Sequence, residues 1–310
     1  MKQEAASNKK HIAATLDPSE LLVPSKLIHL SNLNESDLDF LKQSWARTIT
    51  ERRRQVIAQL VKLSQSNFRA NFSEIFSFCL QDSDAQVRAE AIAGLADEED
   101  YRHIAPLTRL LASDSSAVVK KAAVLALGKF ALLGEMGKLS PASTNEVYQA
   151  LLTVLDDTSS GVELQCLALE AIAPLNLPRV PDLIKAAYRS KGAERKLCAL
   201  RAMGRNCNEF WLSLLVRELD SDNAEMRYEA AHALSELGAE EALPYLVKLA
   251  TDKDSRVQEA AIHGLGENGS EEARQALTKL TKSPQQQVRQ AARTALKELD
   301  FDDEPLPFGS

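Results

Sequence analysis

Along residues 82–97, DSDAQVRAEAIAGLAD, apolar side chains stand at Val87, Ala91 and Leu95, steps of four that lie along one stripe of a 3.6-residue helix. The phrase recurs. With Val87 as an anchor, equivalents begin at Val119, Leu167, Arg195, Met226, Val257 and Val288, spaced by 32, 48, 28, 31, 31 and 31 residues. Four places past each anchor is an alanine: Ala91, Ala123, Ala171, Ala199, Ala230, Ala261 and Ala292. Eight places past it are Leu95, Leu127, Leu175, Met203, Leu234, Leu265 and Leu296. An alanine column this regular predicts a helix face that a neighbouring helix approaches closely.

A second amphipathic segment precedes the phrase, as in YRHIAPLTRLLA, EEALPYLVKLA and EEARQALTKLT, and a short polar turn joins the two. The unit is therefore helix, turn, helix. Helices of about a dozen residues are marginal alone in water, so each hairpin has to bury its stripe against the next copy. The chain reads as all-α, an α-solenoid of about seven helical hairpins over residues 71–300, and a period near 31 makes hairpins the repeating element.

Irregular stretches set the remaining boundaries. Residues 129–144, KFALLGEMGKLSPAST, fall where the spacing widens to 48 and read as an insertion projecting as a loop. The copy anchored at Leu167 has Ala168 where other copies carry a basic residue, and Pro174 within its second helix. Upstream, NESDLDFLKQSW and TERRRQVIAQLVKLSQ are helical in period but do not match the phrase, so residues 26–70 are expected to form a helical N-terminal cap. Residues 1–25 and the acidic 301–310 are expected to be mobile tails. Asp222 with Glu225, and Ser143 with Glu146, read as capping boxes.

Composition agrees. The 310 residues exceed what one compact core usually holds, and 45% are apolar but only 5% aromatic, a supply of Ala and Leu suited to close helix packing. No apolar run reaches the ~18 residues of a membrane span, and the N-terminus lacks the apolar centre of a secretion signal, so a cytoplasmic protein with no membrane contact is expected. Cys79, Cys166, Cys198 and Cys207 show no CxxC spacing and read as small buried side chains.

These residues resemble the HEAT-repeat family in its short bacterial form, akin to the repeats of phycobilisome lyases. The shared features are the turn acids Asp82, Asp114 and Asp252, the basic residue after the anchor (Arg88, Lys120, Lys196, Arg227, Arg289), the alanine column, and prolines in first helices (Pro106, Pro181, Pro244). The resemblance implies a HEAT/armadillo-like superhelix whose second helices line a concave surface. It leaves function open, because this repeat serves scaffolds, adaptors and some enzymes.

Charge and chemistry narrow the functional classes. The net charge is −7, with residues 1–70 at +4 and residues 71–310 at −11. A basic segment, 179–205, carries Arg179, Lys185, Arg189, Lys191, Arg195, Lys196, Arg201 and Arg205, and it supplies a nucleic-acid alternative; the acidic stretch after it would repel a backbone running further. P-loop, HExxH and GxSxG patterns are absent, the GxGxxG spacing of GLGENG at 264–269 reads only as a helix end with C-terminal glycines, and none of the five histidines is followed by Glu, whereas deoxyhypusine hydroxylases hold iron with His-Glu pairs. No cofactor, metal or catalytic residue is expected. Enzyme subunits of the bilin-lyase or deoxyhypusine-hydroxylase type remain the enzymatic alternative.

The leading expectation is a non-enzymatic scaffold or adaptor that binds another protein on its concave face. At about 100° per residue the core takes the anchor, +4, +5 and +8 positions, which leaves +2, +6 and +10 facing outward. Arg201, Arg205, Tyr228, His232, Glu259 and His263 fall there and form the candidate partner-binding ridge, with a protein bearing an acidic segment as the partner. The sequence sets no oligomeric state.

Overall fold

The computed structural model describes residues 2–67, 69–96 and 98–303. Their regular elements are all helices, with no strand among the described residues, and the chain divides after Thr158 into two compact units. The first unit holds α1 (Lys2–Leu16), α2 (Pro24–Leu27), α3 (Glu35–Trp45), α4 (Thr50–Ser66), α5 (Ser73–Cys79), α6 (Ala85–Gly94), α7 (Ile104–Ser113), α8 (Ala117–Glu135) and α9 (Pro141–Asp156). The second holds α10 (Val162–Ile172), α11 (Arg179–Tyr188), α12 (Ala193–Asn206), α13 (Leu212–Glu218), α14 (Ala224–Leu237), α15 (Leu243–Leu249), α16 (Ser255–Asn268), α17 (Glu271–Leu280) and α18 (Gln286–Asp303).

Second helices stack on second helices. In the first unit α4 packs on α6 and α6 on α8; in the second the series runs α10, α12, α14, α16, α18. All seven alanines of the predicted column are buried. This is the solenoid arrangement expected from the period, since each hairpin buries its stripe only against its neighbours. Pro106, Pro181 and Pro244 all sit in the first turn of their helices, where a missing N–H breaks no helical bond.

One copy shifts register. Six of the seven anchors stand three places past their N-cap, as Val87 does past Asp84 and Val257 past Asp254. In α10 the N-cap is Gly161, so the anchor is Leu164, not Leu167, and the buried column alanine is Ala168. From Leu164 the anchors run at a constant 31 through Arg195, Met226, Val257 and Val288. Pro174 then lies beyond the helix end at Ile172 rather than inside it.

The expected insertion is helix. α8 continues to Glu135 and buries Phe130, Ala131 and Leu133, so residues 129–144 supply the last turns of α8, a short turn and the start of α9 instead of a projecting loop. The expected N-terminal tail also folds: within 1–25, α1 places Ile12, Thr15 and Leu16 in the core and packs on α3 and α4, as an i, i+3, i+4 apolar pattern allows. Asn8 Nδ2 donates to the buried Asp37, and Arg52 Nε donates to the Thr15 carbonyl at 2.8 Å. Of the expected C-terminal tail, residues 301–303 close α18 and 304–310 lie outside the described residues.

The cap carries a hidden copy of the phrase. α4 begins after Ile49, which puts Arg52 at the anchor, Arg53 in the basic place and buried Val56 and Leu60 at +4 and +8. Arg53 Nη1 donates to the Thr48 carbonyl at 2.9 Å and Nη2 to Asp82 at 3.1 Å. Later turns repeat this clasp: Arg88 donates to the Asp82 carbonyl (2.7 Å) and to both carboxylate oxygens of Asp114 (2.7 and 2.8 Å). Each acid also orders its own turn, accepting an amide two residues on, Asp84 N at Asp82, Ser116 N at Asp114 and Asp254 N at Asp252. The caps themselves fall elsewhere than expected, on Asn223, which accepts from Glu225 N, and on Ser140, which accepts from Ser143 N.

Candidate protein-binding face

The six ridge residues lie on three consecutive second helices of the second unit: Arg201 and Arg205 on α12, Tyr228 and His232 on α14, Glu259 and His263 on α16. Helical period puts them there, because +2, +6 and +10 point away from the buried alanine column. His232, Glu259 and His263 are exposed, Arg201 and Tyr228 half-buried. The Tyr228 and His232 rings lie 6.4 Å apart, centre to centre.

Carboxylates that the sequence reading passed over complete the face. Arg201 Nε donates to Glu170 Oε1 at 2.7 Å and Nη1 to Glu229 Oε1 at 2.9 Å, so one guanidinium ties α10, α12 and α14 together. Arg205 Nη2 lies 3.6 Å from Glu170 Oε2. His232 Nδ1 is 3.7 Å from Glu236 Oε1 and His263 Nδ1 is 3.5 Å from Glu267 Oε2, both one helical turn on. Burial would lower the Arg201 guanidinium, but Glu170 and Glu229 outweigh it and hold it above its usual range. Burial pushes the Glu236 carboxyl up, against the pull of His232 and Arg205.

The signs change the chemistry of the ridge. Two guanidinium groups stand among the carboxylates of Glu170, Glu229, Glu236, Glu259 and Glu267, and Arg201 is already engaged by two of them. Glu236 and Glu267 fall in the same +10 column as Arg205, so that column held a signal. Glu170 became visible only with the corrected register of α10, where it takes the +6 place.

Beyond the ridge, a groove of about 460 Å³ opens between α16 and α18. Ile262, Val288 and Ala295 are buried along it, and Glu259 and Glu298 are the charged carboxylates of its lining.

Several other sequence candidates have structural partners. In the basic segment, Lys185 sits over the rings of Phe210 (5.1 Å) and Trp211 (5.9 Å), Arg195 donates to Gln165 (2.6 Å), and Lys196 pairs with Glu218 (2.8 Å) above the Tyr188 ring. The arginines of ERRRQ are used within the fold, with Arg54 gripping Asp84 through two hydrogen bonds. Cys79, Cys166 and Cys198 are buried as expected, but Cys207 is exposed at a left-handed helix end. Among the described residues no group of three or more His, Cys, Asp or Glu could hold a metal ion, and no helix is long and apolar enough to cross a membrane.

The family model for HEAT repeats matches residues 73–170 and 208–297. No curated protein matches the chain. Among solved structures, the chain is similar to the complex of CpcE and CpcF of phycocyanin lyase from Nostoc sp. PCC7120, at 16% identity and a TM-score of 0.51 over 91% of this chain and 97% of that one. Yeast importin-β (Kap95p) matches at 10% identity and a TM-score of 0.56 over 94% of this chain and 46% of that one. Human deoxyhypusine hydroxylase in complex with glycerol matches at 18% identity and a TM-score of 0.37, with 96% of each chain covered. For the lyase complex and importin-β the likeness is one of fold.

Proposed function

The chain belongs to the HEAT-repeat family, and from that premise we propose that it is a non-enzymatic cytoplasmic adaptor that holds another protein on the second-helix face of its second unit. Arg201, Arg205, Tyr228, His232, Glu259 and His263 are the proposed contact residues. The observation that carries this reading is the face itself: polar and aromatic side chains from three successive helices, held in place by a buried alanine column and tied across helices by Arg201. Arg201, already fixed by Glu170 and Glu229, has little side-chain entropy left to lose on binding. Tyr and Arg are the residue types that most often anchor interfaces.

The test is affinity capture from the native cell with the wild-type chain and a Tyr228→Ala/His232→Ala variant. Arg201 is left intact because it joins three helices. Recovery of a partner by the wild type and its loss in the variant, at unchanged helicity, is the expected result. Equal recovery by both removes this face from the reading.

A further inference from the structure

We infer that the groove between α16 and α18 receives an amphipathic helix of the partner protein, with apolar side chains facing the groove and lysine or arginine flanking them. Resting on the function proposed above, this assigns the partner a chemistry opposite to the acidic segment expected from the sequence.

Three observations lead there. The groove is apolar along its floor: Val288, Ala291 and Ala295 follow at i, i+3 and i+7 on α18, with Ile262 of α16 opposite them. Two helices packed side by side and open above such a row offer a seat to the ridge of a third. Its volume, about 460 Å³, leaves room for several apolar side chains. The lining includes exposed Glu259 on one wall and exposed Glu298 on the other, and neither Lys nor Arg lines it.

Arg256, Arg289, Arg293 and Lys297 each adjoin a lining residue in sequence, but none of them lines the groove. Arg289 spends Nη1 on the carbonyls of Ser283 (2.7 Å) and Pro284 (2.8 Å). Along the adjoining ridge the same sign continues through Glu267 and Glu236, while the two arginines there are met by Glu170 and Glu229. An acidic helix entering this groove would meet like charges at both rims, and a basic one would meet complementary charge.

The probe is a fluorescein-labelled helical peptide of leucine and lysine, about five turns long, with two controls, one carrying glutamate for lysine and one serine for leucine. Fluorescence anisotropy should show saturable binding of the leucine–lysine peptide only, weakening with salt. Glu259→Lys with Glu298→Lys should weaken it about tenfold and admit the glutamate peptide. Ala291→Phe, which fills the floor, should weaken it at unchanged rim charge.

Failure of the leucine–lysine peptide to bind the wild type, or equal affinity for the charge-reversed variant, overturns the inference, as does equal binding of the serine peptide. Self-association lost on charge reversal would give the groove to a second copy and overturn it too. A native partner that depends on Tyr228 and His232 but not on Glu259 and Glu298 sinks this inference and leaves the proposed function standing. A partner indifferent to both pairs sinks both.

Discussion

Arg227 fastens its own turn and the next one to Asp252: Nη1 donates to the Ser221 carbonyl at 2.8 Å, while Nε and Nη2 each reach an Asp252 oxygen at 2.9 Å. Only 4% of the Arg227 side chain and 11% of Asp252 is exposed. Removing one partner of so enclosed a pair leaves the other charge without compensation. Arg227→Ala is expected to cost about 3 kcal/mol in urea unfolding, and Arg256→Ala, whose partner Asp254 it meets at the surface, no more than about 0.5 kcal/mol.

Gly204 marks the close crossing of α12 and α14. A Cβ there would lie 2.8 Å from the Ala233 Cα and against the Glu236 carboxylate. Alanine would add about 1 kcal/mol of helix propensity, but forcing two backbones apart costs about 1–3 kcal/mol. Gly204→Ala should therefore lower the melting temperature. Gly192→Ala, where nothing stands within 4 Å, should not lose stability by crowding.

Acid should loosen the turns before it touches the apolar core. Hydrogen bonds from Arg54, set against some burial, hold the Asp84 carboxyl down at about 2, from an ordinary 3.8. Burial raises Asp114 and Asp252, but Arg88 and Arg227 with the turn amides outweigh it and leave both below the usual range. A carboxyl lowered in the fold binds fewer protons folded than unfolded, so its stabilisation is full above about pH 4 and disappears toward pH 2. Thermal melts between pH 5 and 2 should show that loss, and Arg54→Ala should flatten part of it.

The apolar skeleton was readable from α6 onward because close stacking there puts a small residue at the same place in each copy, Ala91 through Ala292, where α4 has Val56. The α10 register was not, since Gly161 gives its helix start no side-chain cap, Gln165 replaces the basic residue, and Ala168 and Ala171 are both buried. α4 escaped notice because its anchor is Arg52, a charged residue satisfied by the distant Thr15 carbonyl. The acids that neutralise Arg201 lie 31 and 28 positions away, a separation set by the repeat and not by local helix spacing.

Thiol reagents should sort the cysteines. Cys79, Cys166 and Cys198 are buried, and burial pushes the Cys79 thiol far up. Cys207 is exposed, with its thiol raised by partial burial and then by Glu236. One fast-reacting thiol is expected in the folded chain, its rate still climbing above pH 9 because the thiolate is the reactive form. Cys207→Ser should abolish that labelling, and Cys79→Ser should leave it intact.

The clasp between successive turns is not continuous. Lys196 reaches Glu218 and Arg227 reaches Asp252, but in the next copy the uncharged Gln258 holds only the Asp252 carbonyl, and Ser283 stands where Asp252 does one repeat earlier. Arg289 thus meets carbonyls and, among the described residues, no acid. Among the described residues no charged clasp of this kind ties the turn of the last hairpin to α16, and such an end should fray first: amide protons of this last hairpin ought to exchange with solvent ahead of those in α12 and α14, opening the second unit from one side.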